Sequence, residues 1–306
     1  MIHRIGPPNV HTRWNNRLEP GLEIESGDIV EFGCLDSSGG QVTPTTTVEE
    51  YAQMDRGRIH TITGPVHVRG ARPGDVLEVR IRRVEHHGWG WTSIVPGLGT
   101  LPERFGETYL FLWRLEGGET RSMPGVTLAL APFLGIMGVA PSESGEFRTR
   151  PPGAFGGNMD VKQLVAGSVL YLPVFNEGAL FSAGDGHAAQ GDGEVCINGI
   201  EAPMTAELQL TVRRDFRLEQ PFAEFPPGQP QGPDLGSWAF VGSAENAMDA
   251  ARGVIHRAVD FLMMRRGLPA EQAYLLCSVA LDLKISQCVN VPLITVTGTL
   301  AKALFR

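Results

Sequence analysis

The chain has 306 residues, of which 42% are hydrophobic and 20% are charged. This balance excludes an intrinsically disordered protein and is enough for one large domain or two ordinary ones. The formal net charge of -8 argues against nucleic acids or anionic membranes as partners.

Glycine occurs 38 times and proline 22 times, which indicates many tight turns and a β-rich fold. The four cysteines are widely separated and form no CxxC pair, so we expect reduced thiols rather than disulfides or a zinc knuckle. The first residues lack the apolar segment of a secretory signal, and no apolar run is long enough to cross a bilayer. These features predict a soluble cytoplasmic protein.

Alternating apolar and acidic residues from position 22 predict two strands at the start of the chain. The second of them leads to Asp36, whose place before two serines is typical of an Asx turn. A short helix is expected from Val48 to Met54, and a strand carrying His60 follows it.

A glycine-rich turn near the middle of the chain carries polar residues. Gly156, Gly157 and Asn158 predict a turn or a backbone nest of the kind that binds anions. Asp160 leads out of it into a short helix-like stretch, where its side chain could simply cap the following turn.

The stretch of residues 178–201 holds acids, a histidine and glycines at close spacing. Strand side chains alternate between faces, so an extended backbone would point Asp185 and His187 the same way. We predict that Asp192 and Glu194 pair likewise after an intervening turn. Imidazole and carboxylates held together are the ligands expected for zinc or a related divalent ion. The alternative is a Gly/Asp-rich hairpin turn with solvated acids.

The chain becomes helical near its end. Apolar residues at i, i+3 and i+4 spacing predict a helix that has Ser243 as its N-cap and stops at Gly267. A second helix is expected from Ala270 to about Leu283, followed by a final strand and a short end helix. The Pro/Gly-rich segment before them, residues 222–238, is expected to be a loop.

Together these elements predict an α+β, β-rich fold. The sheets would pack as a sandwich or distorted barrel with a few helices, and two C-terminal helices would pack on the sheet. We expect one domain spanning residues 1–306. Within it, residues 1–225 would form a β-rich core and residues 235–306 a helical pair with the final strand.

The run GDGHAAQGDGEVCINGIE closely resembles the signature of the acetamidase/formamidase family, which are metal-dependent hydrolases of short aliphatic amides. Four further runs resemble the family in the same order along the chain: TITGPVHVRGARPGDVLEVRI, PFLGIMGVAP, PPGAFGGNMDVKQL and GSVLYLPV. The resemblance extends from about Asn15 to Phe305. Several ordered motifs make it far more specific than any single one.

The resemblance implies a set of site residues. The implied metal ligands are Asp36, His60, Asp160, Asp185 and His187. Glu194 would be the general acid/base or a further ligand, acting with Asp185 and His187 in catalysis. Asn158 and Gln190 would orient the substrate or the ligands, and Lys162 would form a salt bridge to one of the acids. These ligands exceed the needs of one tetrahedral Zn²⁺, so a second divalent ion, Zn²⁺ or Ca²⁺, is expected beside it.

The implied reaction is hydrolysis of the C–N bond of formamide-type or acetamide-type amides to a carboxylate and ammonia, through a metal-activated water. Serine and cysteine nucleophiles are disfavoured, because no GxSxG run occurs and Cys196 has no neighbouring base in the sequence. The alternative is a non-enzymatic β-rich binding module stabilised by its metal. The expected partners are a small amide substrate and further copies of the chain in a homo-oligomer.

Overall fold

The computed structural model describes residues 1–227 and 236–305. Within these ranges the strands are β1 (Ile2–Ile5), β2 (Val10–His11), β3 (Arg13–Trp14), β4 (Leu22–Ile24), β5 (Ile29–Cys34), β6 (Ile62–Val68), β7 (Val76–His86), β8 (Trp89–Ile94), β9 (Tyr109–Arg114), β10 (Glu119–Thr120), β11 (Leu128–Ala129), β12 (Phe133–Gly138), β13 (Phe147–Arg148), β14 (Gly156–Asn158), β15 (Val169–Pro173), β16 (Phe181–His187), β17 (Met204–Arg213), β18 (Phe222–Phe225), β19 (Ser237–Ala244), β20 (Leu281–Gln287) and β21 (Ile294–Ala301). The α-helices are α1 (Val48–Ala52), α2 (Ala247–Arg266) and α3 (Ala270–Ala280), and two 3₁₀ helices cover Arg56–Arg58 and Lys302–Phe305. No helix in the described part of the chain is both long and apolar enough to span a membrane.

Two sheets form the body of the molecule. The main sheet has nine strands in the order β1-β5-β17-β7-β15-β18-β19-β21-β20. The second sheet has the order β14-β12-β16-β6-β2, with β4 also pairing with β6. The largest apolar core contains side chains from both sheets. The ring centroids of Phe32 on β5 and Phe181 on β16 are 5.7 Å apart. The sheets therefore pack face to face, which confirms the predicted β-rich α+β fold.

The alternation of apolar and polar residues in the sequence explains which side chains of a strand point into this core. Along β17 the buried residues Met204, Ala206, Leu208 and Leu210 alternate with half-buried ones. This strand pairs antiparallel with β7 along its whole length. Alternation places one row of side chains inside the sandwich and the other row on its outer face.

Helices α2 and α3 pack on the main sheet, as predicted, and form a second apolar core with β19 and β21. The predicted N-cap of α2 is wrong. Ser243 lies in β19, and Asn246 caps the helix by accepting a hydrogen bond from the Asp249 backbone N–H. The predicted end at Gly267 is confirmed by its left-handed backbone with φ of 66°.

Helix α3 ends earlier than predicted. It stops at Ala280, and the residues from Leu281 onward form β20, which pairs antiparallel with β21. The prediction of a helix to about Leu283 is wrong because the pairing with β21 overrides the local helical pattern. The apolar residues Leu283 and Ile285 are alternate positions of a strand.

The segment predicted as a loop contains more structure than expected. Strand β18 and the start of β19 occupy its two ends and pair with each other. Residues 228–235 lie outside the described residues. The partition into 1–225 and 235–306 stays a prediction, and the main sheet contains strands from both parts.

Candidate metal and catalytic centre

A buried group of acids and histidines lies at the end of β16, in the second sheet. Asp185 and His187 are both less than 3% exposed, and the Asp185 carboxylate lies 3.6 Å from the His187 ring, so the two side chains lie together as predicted. Asp160 follows β14, and β12 lies between β14 and β16 in the sheet. Glu194 and Glu201 lie in the segment that connects β16 to β17. Two sets within this group could hold a metal ion: Asp160, Asp185 and His187, and His187, Glu194 and Glu201.

His187 is the centre of the group. Its Nε2 atom lies 2.9 Å from a Glu201 oxygen, 3.6 Å from an Asp185 oxygen and 3.9 Å from a Glu194 oxygen. Its Nδ1 atom lies 3.9 Å from an Asp160 oxygen. One imidazole is thus shared by four carboxylates, which explains why it belongs to both candidate metal sets.

Gln190 assigns the tautomer of His187. Its Nε2 group donates to the backbone oxygens of Asp160 and Ser286, at 3.0 and 3.2 Å. Carbonyl oxygens only accept, so the Gln190 Oε1 atom must face His187, and the His187 Nδ1–H donates to it at 2.7 Å. The Nε2 atom therefore faces the acids. Burial lowers the pKa of His187, but the charges of Glu201 and Asp185 raise it well above its usual value, so Nε2 carries a proton in the absence of a cation and would release it to bind a metal.

Several buried polar atoms of the group have no hydrogen-bond partner. Among the described residues, the unpartnered atoms are Asp160 Oδ1, Asp185 Oδ1, His187 Nε2, Glu194 Oε2 and Glu201 Oε2, and the 2.9 Å approach of His187 Nε2 to the other Glu201 oxygen lacks hydrogen-bond geometry. Buried polar groups are almost always paired, since an unpaired one loses its hydration without compensation. Clustered oxygens and an imidazole nitrogen that lack protein partners fit a divalent cation, whose preferred ligands they are.

Burial and mutual repulsion disfavour the ionised forms of several of these acids. Burial, followed by the charge of Asp185, raises the pKa of Asp160 to about 7. Burial likewise raises the pKa of Glu201 to about 7, and with the charge of Asp160 it raises the pKa of Glu194 well above its usual value. Burial alone would raise the pKa of Asp185, but the neighbouring His60 and His187 bring it below the ordinary range. A bound cation would stabilise the ionised forms of these acids.

Three of these acids have a left-handed backbone. The φ angles are 50° at Asp160, 57° at Asp185 and 48° at Glu194. Residues other than glycine rarely adopt this region, and such strain concentrates at functional sites. The fold therefore holds these carboxylates in place against a local preference for other conformations.

His60 is half-buried next to the group, just before β6 rather than on a strand as predicted. Its Nδ1 atom has no hydrogen-bond partner among the described residues. Burial lowers the pKa of His60 even though the charge of Asp185 opposes this, so the ring is neutral and able to act as a ligand. Its assignment as a ligand stays a prediction.

Asp36 is buried, but its carboxylate has local partners. It accepts hydrogen bonds from the backbone N–H groups of Ser38 and Gly40, which form the predicted Asx turn, and from the indole of Trp91. Trp91 in turn pairs through its backbone with Glu201. Asp36 belongs to neither metal set found among residues 1–227 and 236–305, and its role as a ligand stays a prediction.

The remaining predicted residues lie at different depths. Asn158 is buried with an unpartnered Oδ1 atom, which is consistent with a part in orienting a ligand. Lys162 pairs with Asp192 at 3.0 Å, both about one-third exposed, so it does bridge an acid, but one outside the buried group. Glu194 is buried whereas Asp192 is exposed, so the predicted pairing of these two side chains is wrong.

Sequence reasoning did not single out two residues of the site. Glu201 is the last residue of the signature run and contacts His187 directly. Asn290, between β20 and β21, donates a hydrogen bond to the Asp160 carboxylate. The sequence contained a signal for Glu201, because this residue ends the signature run GDGHAAQGDGEVCINGIE. The sequence around Asn290 contains no motif that indicates a functional site.

A narrow cleft leads to the group of acids. Its lining includes His60 and Glu201 together with Tyr51, Trp91 and Leu98. The cavity has a volume of about 30 Å³, far below the roughly 300–1,000 Å³ of pockets for drug-sized ligands. Only a small molecule would fit without movement of the walls.

The carboxylates are packed tightly against the backbone of β12, which gives a direct test of their placement. A Cβ atom at Gly135 would lie 2.4 Å from Asp160 Oδ1 and 2.8 Å from Asp185 Oδ2, although the φ angle there suits any residue. Gly135→Ala should therefore displace both carboxylates and lower metal content and turnover, by about 100-fold if the shift reaches 1 Å. Metal analysis and steady-state kinetics measure this.

The matched control is Gly191→Ala, in the loop after β16, where an added Cβ meets nothing within 4 Å. It should leave metal content and rate near those of the unmodified protein. Equal behaviour of the two variants would contradict the placement of Asp160 and Asp185 in the site.

Comparisons with known proteins identify the family to which the chain is similar. A family model described as the Acetamidase/Formamidase family matches residues 4–146 and 143–306. An acetamidase of Mycolicibacterium smegmatis is 27% identical over 87% of this chain, and a formamidase of Methylophilus methylotrophus is 28% identical over 62% of it. The matched regions span from 60% to 84% of the lengths of the curated relatives.

The similarity extends to three dimensions. The crystal structure of an acetamidase from Bacillus halodurans superposes with a TM-score of 0.91 and 33% sequence identity. The alignment covers 99% of this chain and 98% of that one. The whole architecture, and not only the signature run, is therefore shared.

Proposed function

Because the chain belongs to the acetamidase/formamidase family, we propose that it hydrolyses the C–N bond of short aliphatic amides to a carboxylate and ammonia. The observation that carries this proposal is the buried group around His187, with its unpartnered oxygen and nitrogen atoms. The substrate class follows from the names of two similar proteins, an acetamidase and a formamidase.

The same group provides the ligands for a divalent ion, zinc in our proposal. The residues that would hold it are Asp160, Asp185, His187, Glu194 and Glu201, with His60 beside them. A bound Zn²⁺ supplies a polarised carbonyl and a water whose pKa is lowered to about 7. Because two sets of ligands share His187, we propose that a second divalent ion, Zn²⁺ or Ca²⁺, can bind alongside the first.

The chain's own residues position the reactants and move the proton. Amide nitrogen is a poor leaving group unless it is protonated, so a group must carry a proton to it. Glu194 is suited to this role, because its buried carboxyl lies 3.9 Å from His187 and can accept a proton and return it beside the residues that would hold the metal. Gln190 holds the His187 ring, and Asn290 holds the Asp160 carboxylate.

The cleft supports a preference for short amides. The acyl group would lie against Tyr51, Trp91 and Leu98, with the carbonyl turned toward His60 and Glu201. A hydrophobic pocket separates substrates that differ by one methylene by only about 1–3 kcal/mol, so formamide and acetamide would both be accepted at different rates.

Metal removal tests the proposal. Protein treated with a chelator should lose the release of ammonia from formamide and acetamide, and should recover it when Zn²⁺ is returned. The physical reason is that unaided amide hydrolysis lacks both a strong nucleophile and a polarised carbonyl. Ammonia release and bound metal per chain are measured on the same samples.

Two outcomes would oppose the proposal. If the metal-free protein hydrolyses amides at its full rate, the metal has no role in the mechanism. Metal-loaded protein that releases no ammonia from any short amide, while the metal still raises its melting temperature, would instead favour the non-enzymatic, metal-stabilised module.

A further inference from the structure

Two arginines line the cleft that leads to the candidate metal centre. Arg56 and Arg150 belong to its lining, together with His60 and Glu201. Among the residues that the structure describes, the Arg150 side chain forms no hydrogen bond and no ion pair. Arg56 lies over the ring of Tyr51, 5.1 Å from its centroid, and has no carboxylate partner there either. The cleft therefore contains guanidinium groups that no described carboxylate contacts.

The backbone next to Arg150 is fixed to His60. The hydroxyl of Thr149, which is fully buried, accepts a hydrogen bond from the His60 backbone N–H at 2.9 Å and donates to the His60 carbonyl oxygen at 3.3 Å. Pro151 follows Arg150 and biases its backbone toward extended conformations. Because Arg150 is also half-buried, its side chain is held at the cleft rather than left free on the surface.

The charge of Arg150 is surrounded more closely by cations than by anions. Burial, followed by the like charges of Arg148 and Arg56, lowers the pKa of Arg150. The charges of Asp185 and Glu194 act in the opposite direction, but neither acid forms an ion pair with Arg150. A guanidinium group keeps its charge in proteins and has only N–H donors, so an anion bound in the cleft would relieve this repulsion and accept the free donors.

The size of the cleft limits the anion to a few atoms. Its volume of about 30 Å³ has room for about two water-sized groups. Two parallel N–H groups of a guanidinium match the two oxygens of a carboxylate. A short carboxylate such as formate or acetate meets both conditions. It is also what the proposed hydrolysis forms, since a neutral amide and water give a carboxylate and ammonium.

We propose that Arg150, with Arg56 beside it, forms a binding site for the short carboxylate that amide hydrolysis releases. This inference rests on the proposed function. The neutral amide enters the same cleft without needing a cation, whereas the carboxylate is repelled by the buried acids and attracted to Arg150. The carboxylate should therefore inhibit the enzyme in competition with the amide.

Acetamide and acetate provide the test, because they have nearly the same shape and differ in charge. In Arg150→Gln, the ratio of the inhibition constant of acetate to the KM of acetamide should rise by about 10- to 100-fold, the range expected for a lost charge-assisted hydrogen bond. Calorimetric titration with acetate measures the same loss as a dissociation constant, without turnover. Arg148→Gln is the matched control, because this exposed arginine on β13 is not part of the cleft lining, and its ratio should stay unchanged.

Three outcomes would overturn the inference: an unchanged ratio in Arg150→Gln, an equal rise in Arg148→Gln, or an unmodified protein that acetate does not inhibit. If the unmodified protein releases no ammonia from acetamide, the proposed hydrolysis fails instead, and the calorimetric constants still test the site for acetate. Circular dichroism and metal content check that the variants are folded. Arg150→Lys keeps the charge but not the paired donors, so it should bind acetate more tightly than Arg150→Gln, and equal weakness of the two would also contradict the site.

Discussion

Replacing His187 by alanine is expected to lower amide hydrolysis by on the order of a thousandfold or more. His187 belongs to both candidate metal sets, so its loss removes a ligand nitrogen from each. A metal ion contributes several kcal/mol of transition-state stabilisation, and each 1.36 kcal/mol corresponds to a factor of ten in rate. The rate of ammonia release and the bound metal per chain should fall together.

The control for this variant is His256→Ala. His256 is an exposed histidine on α2, so its removal should change neither the rate nor the metal content. Far-UV circular dichroism and melting with saturating metal check that His187→Ala is folded. A folded variant with a normal rate would refute the assignment of His187.

Only part of the site could be predicted from local spacing. Asp185 and His187 lie two positions apart in β16 and their side chains approach to 3.6 Å, although the left-handed backbone of Asp185, with φ of 57°, departs from the extended geometry that the prediction assumed. The same reasoning failed for Asp192 and Glu194. Their backbone is not extended, since φ is 97° at Gly193 and 48° at Glu194, and this breaks the alternation between faces.

Contacts between distant segments explain what could not be predicted. Glu201 reaches His187 because the chain folds back, with the Ala202 backbone N–H donating to Gly186. Asn290 reaches Asp160 across 130 positions of sequence. No local pattern encodes such approaches. Glu201 lies within the signature run, but its contact with His187 depends on this fold-back, and Asn290 lies outside every motif of the resemblance.

The boundary between α3 and β20 illustrates the same limit for the fold. The helical spacing of apolar residues continues past Ala280, so a single-sequence reading extends the helix. The pairing of Leu283 with Gly298 on β21 decides the conformation instead. A preference of a few tenths of a kcal/mol per residue for helix is easily overridden by strand pairing and burial.

Glu194→Gln is expected to lower kcat by about 10²–10⁴-fold with little change in KM. The substitution keeps the size of the side chain and removes its ability to accept and return a proton. Glu194 is 6% exposed, so bulk water cannot readily replace it as the proton carrier. Steady-state kinetics with formamide separates the two constants.

Metal analysis of the same variant distinguishes the two roles considered for Glu194. If it carries the proton, Glu194→Gln should retain its metal while kcat falls; if it is a ligand, metal content and rate should fall together. Asp192→Asn provides the matched control, because this acid is in the same loop but is exposed and paired with Lys162. An unchanged kcat in Glu194→Gln would contradict the role of Glu194 as the proton carrier. The next candidate would be Glu201, which lies 2.9 Å from His187 and whose pKa is raised by burial to about 7.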